Sequence, residues 1–153
     1  MNKIPVTIIR HPKERVSKCS LEPLKGRPEI VFLNASPFLK FDCSNFILLT
    51  LNAPELSLAD ANYPLLLLDS TWRLLPKLEA GLYGQPIKRT LPANFKSAYP
   101  RISKIDSNPS NGLASIEALY LAKYILGETD PSLLDDYPKF PKMWTLWHRF
   151  SMT

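Results

Sequence analysis

Runs of apolar residues between short polar segments predict four strands in the first half of the chain. They cover residues 6–9, 29–33, 46–51 and 65–68. The first is rich in β-branched residues, which favour strands. The last two are apolar throughout, as is typical of strands buried on both faces of a parallel sheet.

The second half of the chain carries helical periodicity instead. Residues 114–126 predict the longest helix, and Gly127 suits its C-terminal end. Its apolar stripe also contains a lysine; the members at helical spacing are Ile116, Leu119, Tyr120, Lys123 and Tyr124. Shorter helices are predicted from near Pro76, over residues 131–137 and over the tail, 141–150. Residues 87–101 predict a short strand followed by an irregular loop.

Apolar strands alternating with helices predict an α/β fold with a mainly parallel sheet flanked by helices. The 153 residues are expected to form a single domain, with a basic N-terminal subregion, 1–45, and a ligand-binding region, 46–153. Ligands of such sheets bind beyond the carboxyl ends of the strands. This rule places residues 50–52, 69–72 and 91 onward on the functional edge.

The charge of the chain favours a polyanionic partner. Nineteen Lys and Arg against fourteen Asp and Glu give a net charge of +5, and cations near phosphates release condensed counterions. One cluster contains Arg10, Lys13, Arg15, Lys18, Lys25 and Arg27. A second contains Lys88, Arg89, Lys96, Arg101 and Lys104. The alternative interpretation is a merely solvated basic surface.

Several classes of protein are disfavoured. Cys19 and Cys43 form no C-x-x-C pair, and His11 and His148 are far apart, so no structural metal site with about four ligands is expected. The longest apolar runs fall far short of the ~20 residues of a membrane span. The N-terminus lacks the features of a signal peptide. We therefore expect a soluble, cytoplasmic protein.

The most informative segment is residues 65–72, LLLLDSTW. A carboxylate directly after a buried strand, followed by Ser-Thr-Trp, is an unusual strand end. One interpretation is structural, with Asp69 or Ser70 as a helix N-cap and Trp72 in the core. The other is a polar site at the carboxyl end of the strand.

The D-x-T-W pattern resembles the signature of DTW-domain proteins, whose superfamily includes the ribosomal-RNA aminocarboxypropyltransferases. Further blocks that look like those of that superfamily lie upstream and downstream of it, in the order that the superfamily has them. They are His11-Pro12-Lys13, Lys18-Cys19-Ser20 with Leu24, Leu56-Ser57 with Asp60, Arg89-Thr90-Leu91-Pro92, Tyr99-Pro100-Arg101 and Leu113-Ala114-Ser115-Ile116-Glu117-Ala118. The resemblance spans roughly residues 10–137, and its last block begins the longest predicted helix.

The resemblance implies a SPOUT-like fold with a C-terminal trefoil knot and S-adenosylmethionine as cofactor. It implies transfer of the 3-amino-3-carboxypropyl group to a ring nitrogen of uridine or pseudouridine, in rRNA or tRNA, with methylthioadenosine leaving. Because the sulfonium already provides a good leaving group, the protein mainly has to position the reacting carbon. A carboxylate nearby can accept the imide proton or hold the cofactor ammonium.

The resemblance also assigns site residues, for most of which a plain core role is the alternative. Asp69 is the expected catalytic group. The expected cofactor-binding residues are Ser20, Leu49, Thr50, Leu67, Trp72, Leu91, Leu113, Ala114 and Ser115. The expected RNA-binding residues are Lys13, Arg15, Lys18, Arg89, Tyr99 and Arg101, where cations position phosphates and Tyr99 stacks on a flipped base.

Three other functions fit the sequence. A SPOUT-type RNA methyltransferase would differ only in which carbon of the cofactor meets the base. A non-catalytic RNA-binding or ribosome-assembly module would have lost cofactor binding. A plain interaction domain would use the tail, with Trp144 and Trp147, to dock a partner.

Overall fold

The computed structural model describes residues 3–11, 21–50, 52–69, 75–92 and 115–134. Seven strands and two α-helices lie in these ranges. In chain order they are β1 Val6–Arg10, β2 Ile30–Asn34, β3 Phe41–Asp42, β4 Ile47–Leu49, β5 Leu65–Asp69, α1 Leu75–Glu79, β6 Leu82–Tyr83, β7 Ile87–Arg89 and α2 Ser115–Ile125. Short 3-10 helices occupy Glu22–Leu24, Leu58–Asp60 and Pro131–Leu134.

Five strands form one sheet in the order β2-β1-β5-β4-β7, and every pairing in it is parallel. The strands β1 and β2 of the basic N-terminal subregion therefore share a sheet with β4, β5 and β7 of the second region. The prediction of an α/β fold with a mainly parallel sheet is confirmed. The predicted knot depends on the path of the C-terminal third, of which residues 115–134 are described, and stays a prediction.

Both faces of the sheet are covered, which explains why its inner strands are mostly apolar. On one face, α2 packs its apolar residues against Ile8, Ile47 and Leu65. On the other face, Leu78 of α1 and the strands β3 and β6 cover Ile9, Leu48 and Leu66. Alternate residues of each strand thus enter two separate cores, as the period of two in a strand requires.

The pair β3–β6 is a small parallel sheet that the sequence did not predict. Each strand has two residues, too few to show an alternating pattern. Gly84 follows β6 with a φ of +90°, and a Cβ there would lie 2.2 Å from Ser44 Oγ. Glycine is needed at this position both for its backbone conformation and for the close approach of the loop after β3.

Ion pairs gather at the amino end of the sheet. Asp130 Oδ2 forms ion pairs with Lys3 Nζ at 3.4 Å and with Arg27 Nη1 at 3.6 Å. Burial raises the pKa of Asp130, but hydrogen bonding from Ser132 and these cations lower it further, so that the net shift is downward. Arg27 therefore lies at the end of the sheet opposite Asp69, not on an RNA surface near the predicted site.

Where the structure describes them, the other predicted elements are present with adjusted bounds. Residues 46–51 yield a strand of three described residues, and 131–137 yields a 3-10 helix of four. The predicted tail helix, 141–150, lies outside the described residues. Within the described part of the chain, no helix has the length and apolar character needed to cross a membrane.

Candidate functional site

The carboxyl ends of β2, β1 and β5 bring three polar residues into one row. Asn34 is in register with Arg10, and Arg10 is in register with Asp69. Asp69 is the last residue of β5 and is 9% exposed. The predicted catalytic carboxylate thus lies at the carboxyl edge of a central strand, where ligands of parallel sheets bind.

Asp69 forms a buried ion pair with the neighbouring strand. Arg10 Nε donates to Asp69 Oδ2 at 3.3 Å. The guanidinium also lies over the ring of Phe32, 5.0 Å from its centroid, a cation–π contact. The prediction that Arg10 belongs to an exposed RNA-binding cluster is therefore wrong, because its side chain is only 5% exposed and faces Asp69.

Three leucines predicted to hold the cofactor meet on one face of the sheet near this edge. Leu49, Leu67 and Leu91 are buried together in the core that packs against α2. Their burial agrees with the plain core role that the sequence left open. Their role in binding the adenine of the cofactor stays a prediction.

Thr50 lies directly after β4, and its amide donates to Arg89 O at 2.9 Å. On the face opposite α2 it borders a pocket of about 280 Å³; the other lining residues are Cys43, Leu48, Glu79, Leu82, Gly84, Pro86 and Lys88. Burial raises the pKa of the Cys43 thiol. Cys43 is therefore a poor nucleophile, since the thiolate is the reactive form.

The segment after β7 is tied to residues 54–60. Thr90 N donates to Pro54 O, and Leu56 N donates to Thr90 O, both at 2.9 Å. Arg89 Nε donates to Asp60 Oδ2 at 3.1 Å, and its Nη1 donates to the Lys88 carbonyl. Asp60 and Arg89 belong to two different blocks of the resemblance, and their ion pair holds the Thr90-Leu91 segment in place. The RNA-binding role of Arg89 stays a prediction, and the described contacts of its guanidinium are internal.

Replacing Asp60 with asparagine is expected to lower the free energy of unfolding by about 1–3 kcal/mol. The substitution removes the charge of a partly buried bond to Arg89 and weakens the bond from Ser57 N to Asp60 Oδ2, 3.2 Å long. Urea unfolding measures the change. Glu55→Gln, an exposed neighbour, is the control and should stay within about 0.5 kcal/mol. An unchanged Asp60→Asn variant would show that the pair does not hold this segment.

Most other predicted site residues lie outside the described ranges. They are Ser20, Trp72, Leu113 and Ala114 for the cofactor, and Lys13, Arg15, Lys18, Tyr99 and Arg101 for RNA. Ser115 begins α2. Glu117, two residues on, is fully buried in the first turn of α2. Among the described residues, no three His, Cys, Asp or Glu side chains are grouped to hold a metal ion.

Arg10 and the Asp60–Arg89 pair are the contributions to this edge that sequence reasoning missed. A basic residue at the end of an apolar strand was a usable signal for Arg10, but its partner lies 59 positions away. For Asp60 and Arg89, no signal of contact was present in the sequence, because they lie 29 positions apart in separate blocks.

The fold is similar to that of one solved structure in particular. No protein-family model and no curated protein sequence matches the chain. The structure of the SAM-dependent rRNA acp-transferase Tsr3 from Vulcanisaeta distributa matches with a TM-score of 0.68 at 23% sequence identity. The match covers 97% of this chain and 81% of that one. At the level of fold, it confirms the resemblance read from the motifs: this chain has the Tsr3 fold.

Proposed function

We propose that this protein transfers the 3-amino-3-carboxypropyl group of S-adenosylmethionine to a uridine or pseudouridine base of rRNA. The observation that carries the proposal is the Tsr3 fold, which spans nearly the whole chain. The position of Asp69 at the carboxyl end of β5 supports it. The fold is expected to include the C-terminal trefoil knot.

The described residues suit the proposed cofactor. Asp69 supplies a carboxylate for an ammonium or an imide proton, and the apolar side chains of Leu49, Leu67 and Leu91 are the proposed contacts of adenine. Ser20, Trp72 and residues 113–115 complete the proposed cofactor contacts. Lys13, Arg15, Lys18, Arg89, Tyr99 and Arg101 are the proposed RNA contacts. When bound, S-adenosylmethionine supplies a sulfonium-activated carbon and a neutral thioether leaving group.

In the proposed reaction, a ring nitrogen of the base forms a bond to the terminal carbon of the aminocarboxypropyl group. The bond from that carbon to sulfur breaks, and methylthioadenosine leaves with the electron pair. The imide proton passes to Asp69 or to solvent. The protein acts chiefly by orientation, which in well-aligned systems contributes about 7–11 kcal/mol to lowering a barrier.

Isotope position in the cofactor tests this proposal directly. The purified protein is incubated with total RNA from cells lacking this gene, and with S-adenosylmethionine labelled either in the carboxyl carbon or in the methyl group. Label in RNA from the carboxyl-labelled form alone, with methylthioadenosine as co-product, is the expected result. Label from the methyl-labelled form alone would instead identify a methyltransferase. Separation of the labelled RNA into rRNA and tRNA fractions then identifies the target class.

Calorimetry separates a non-catalytic module from an enzyme. S-adenosylmethionine and methylthioadenosine are expected to bind with micromolar dissociation constants, about −8 kcal/mol. S-adenosylhomocysteine serves as the comparison ligand. Absence of binding for all three would contradict the enzyme proposal and favour an RNA-binding module.

A further inference from the structure

The loop between β2 and β3 presents an exposed aromatic side chain. Phe38 is 90% exposed, more than any other large apolar residue among those described. Burial stabilises a phenylalanine side chain, so this ring forgoes a substantial stabilisation. A single exposed apolar residue is common on protein surfaces, so the significance of this ring depends on how it is held and where it lies.

Ser36 orders the turn that carries Phe38. Its Oγ accepts hydrogen bonds from the amides of Phe38 at 3.2 Å and Leu39 at 3.1 Å. Its carbonyl also accepts from Leu39 N at 3.1 Å. A serine hydroxyl that bonds to amides two and three residues on fixes a local turn. The exposed ring is thus attached to an ordered backbone.

Both ends of the same loop are anchored to the sheet system. Ala35 N donates to Arg10 O, and Phe41 N donates to Gly81 O, both at 2.8 Å. A Cβ on Gly81 would lie 2.9 Å from Leu39 O, which shows how closely the loop packs on the turn after α1. An aromatic platform ordered during folding loses less conformational entropy on binding a ligand.

The loop leaves the sheet at the edge that carries Asp69. It starts after Asn34, which is two strands from Asp69 in the register Asn34, Arg10, Asp69. Two strand spacings are about 10 Å, and four residues reach at most about 14 Å. The backbone of Phe38 is therefore within about 24 Å of Asp69, close enough for one RNA strand to contact both.

We infer that Phe38 stacks on an unpaired base of the RNA that the protein modifies. Lys40, two residues on from Phe38, is exposed. Aromatic rings beside cations bind single-stranded RNA through base stacking and phosphate contacts. The net charge of +5 favours RNA over a protein partner of mixed charge. The inference rests on the proposed function and names a substrate contact for it.

Fluorescence anisotropy with short labelled oligoribonucleotides tests the inference. The probes are oligoadenylate, oligouridylate and a strand of equal length without bases. Phe38→Ala is expected to weaken oligoadenylate binding about 5- to 150-fold, the range for loss of one stacked base. Phe38→Trp should retain the wild-type affinity. The control Leu58→Ala removes another exposed apolar side chain, 65% exposed, and should change nothing.

Binding to the strand without bases should be the same for Phe38→Ala and wild type. Equal weakening for the probes with and without bases would overturn the stacking role, as would unchanged oligoadenylate binding by Phe38→Ala. If Phe38→Ala binds the oligonucleotides as wild type does but no longer binds a protein that wild type binds, Phe38 contacts a protein partner instead. Calorimetry with S-adenosylmethionine on the same variants distinguishes these outcomes from failure of the proposed function, because Phe38→Ala should bind the cofactor normally.

Discussion

Replacing Asp69 with alanine is expected to remove the proposed transfer activity and to destabilise the fold. Loss of a general base costs about 10²- to 10⁴-fold in rate. Removing one partner of a buried ion pair costs about 3–5 kcal/mol of stability. Here the substitution takes away the carboxylate that offsets the buried guanidinium of Arg10, 3.3 Å away.

Asp69→Asn separates the two roles that remain open for this carboxylate. Asparagine still accepts a hydrogen bond from Arg10 but is neutral. If Asp69 accepts the imide proton, turnover falls while the dissociation constant of S-adenosylmethionine stays unchanged. If it holds the ammonium, that dissociation constant rises.

Asp42→Asn, which alters an exposed carboxylate on β3, should leave both turnover and cofactor affinity unchanged. An Asp69→Ala protein that remains folded and fully active would remove Asp69 from the mechanism.

Replacing Glu128 with glutamine is expected to cause a large loss of stability. Lys123 is fully buried in α2, and its Nζ lies 3.0 Å from Glu128 Oε2. Glu128 Oε1 also accepts the amide of Ile4 and so ties α2 to the start of β1. Without the carboxylate, the buried ammonium loses its charge partner, at a cost of about 3–5 kcal/mol.

Thermal unfolding should show this loss as a decrease in Tm of about 6–20 °C, given about 2–4 °C per kcal/mol for a chain of this size. The double variant Lys123→Met/Glu128→Gln should recover much of it, because an apolar side chain needs no charge partner. Lys3→Ala is the matched control. It removes the ion pair of a half-exposed lysine with Asp130, worth at most about 1 kcal/mol. A Glu128→Gln variant as stable as wild type would contradict the importance of this pair.

Local patterns predicted the inner strands and the longest helix well. The apolar run at 65–68 became β5, and the helix predicted at 114–126 became α2, Ser115–Ile125. These predictions succeed because the type of an element depends on the spacing of side chains that enter the core. The position of Asp69 at a strand end follows from the same reasoning, since it is the first charged residue after the run.

The partners of the polar residues depended on tertiary structure. The sequence placed Arg10 on a basic surface and Lys123 in an apolar stripe, but not beside Asp69 and Glu128. The two-residue strands β3 and β6 form only where the loop after β2 meets the turn after α1. Motif resemblance predicted the fold that the Tsr3 structure shares, and a chemistry that stays a proposal. Strand order, register and ion pairing arise from contacts between distant segments, whose free energies combine only when the sheet and both its cores are assembled.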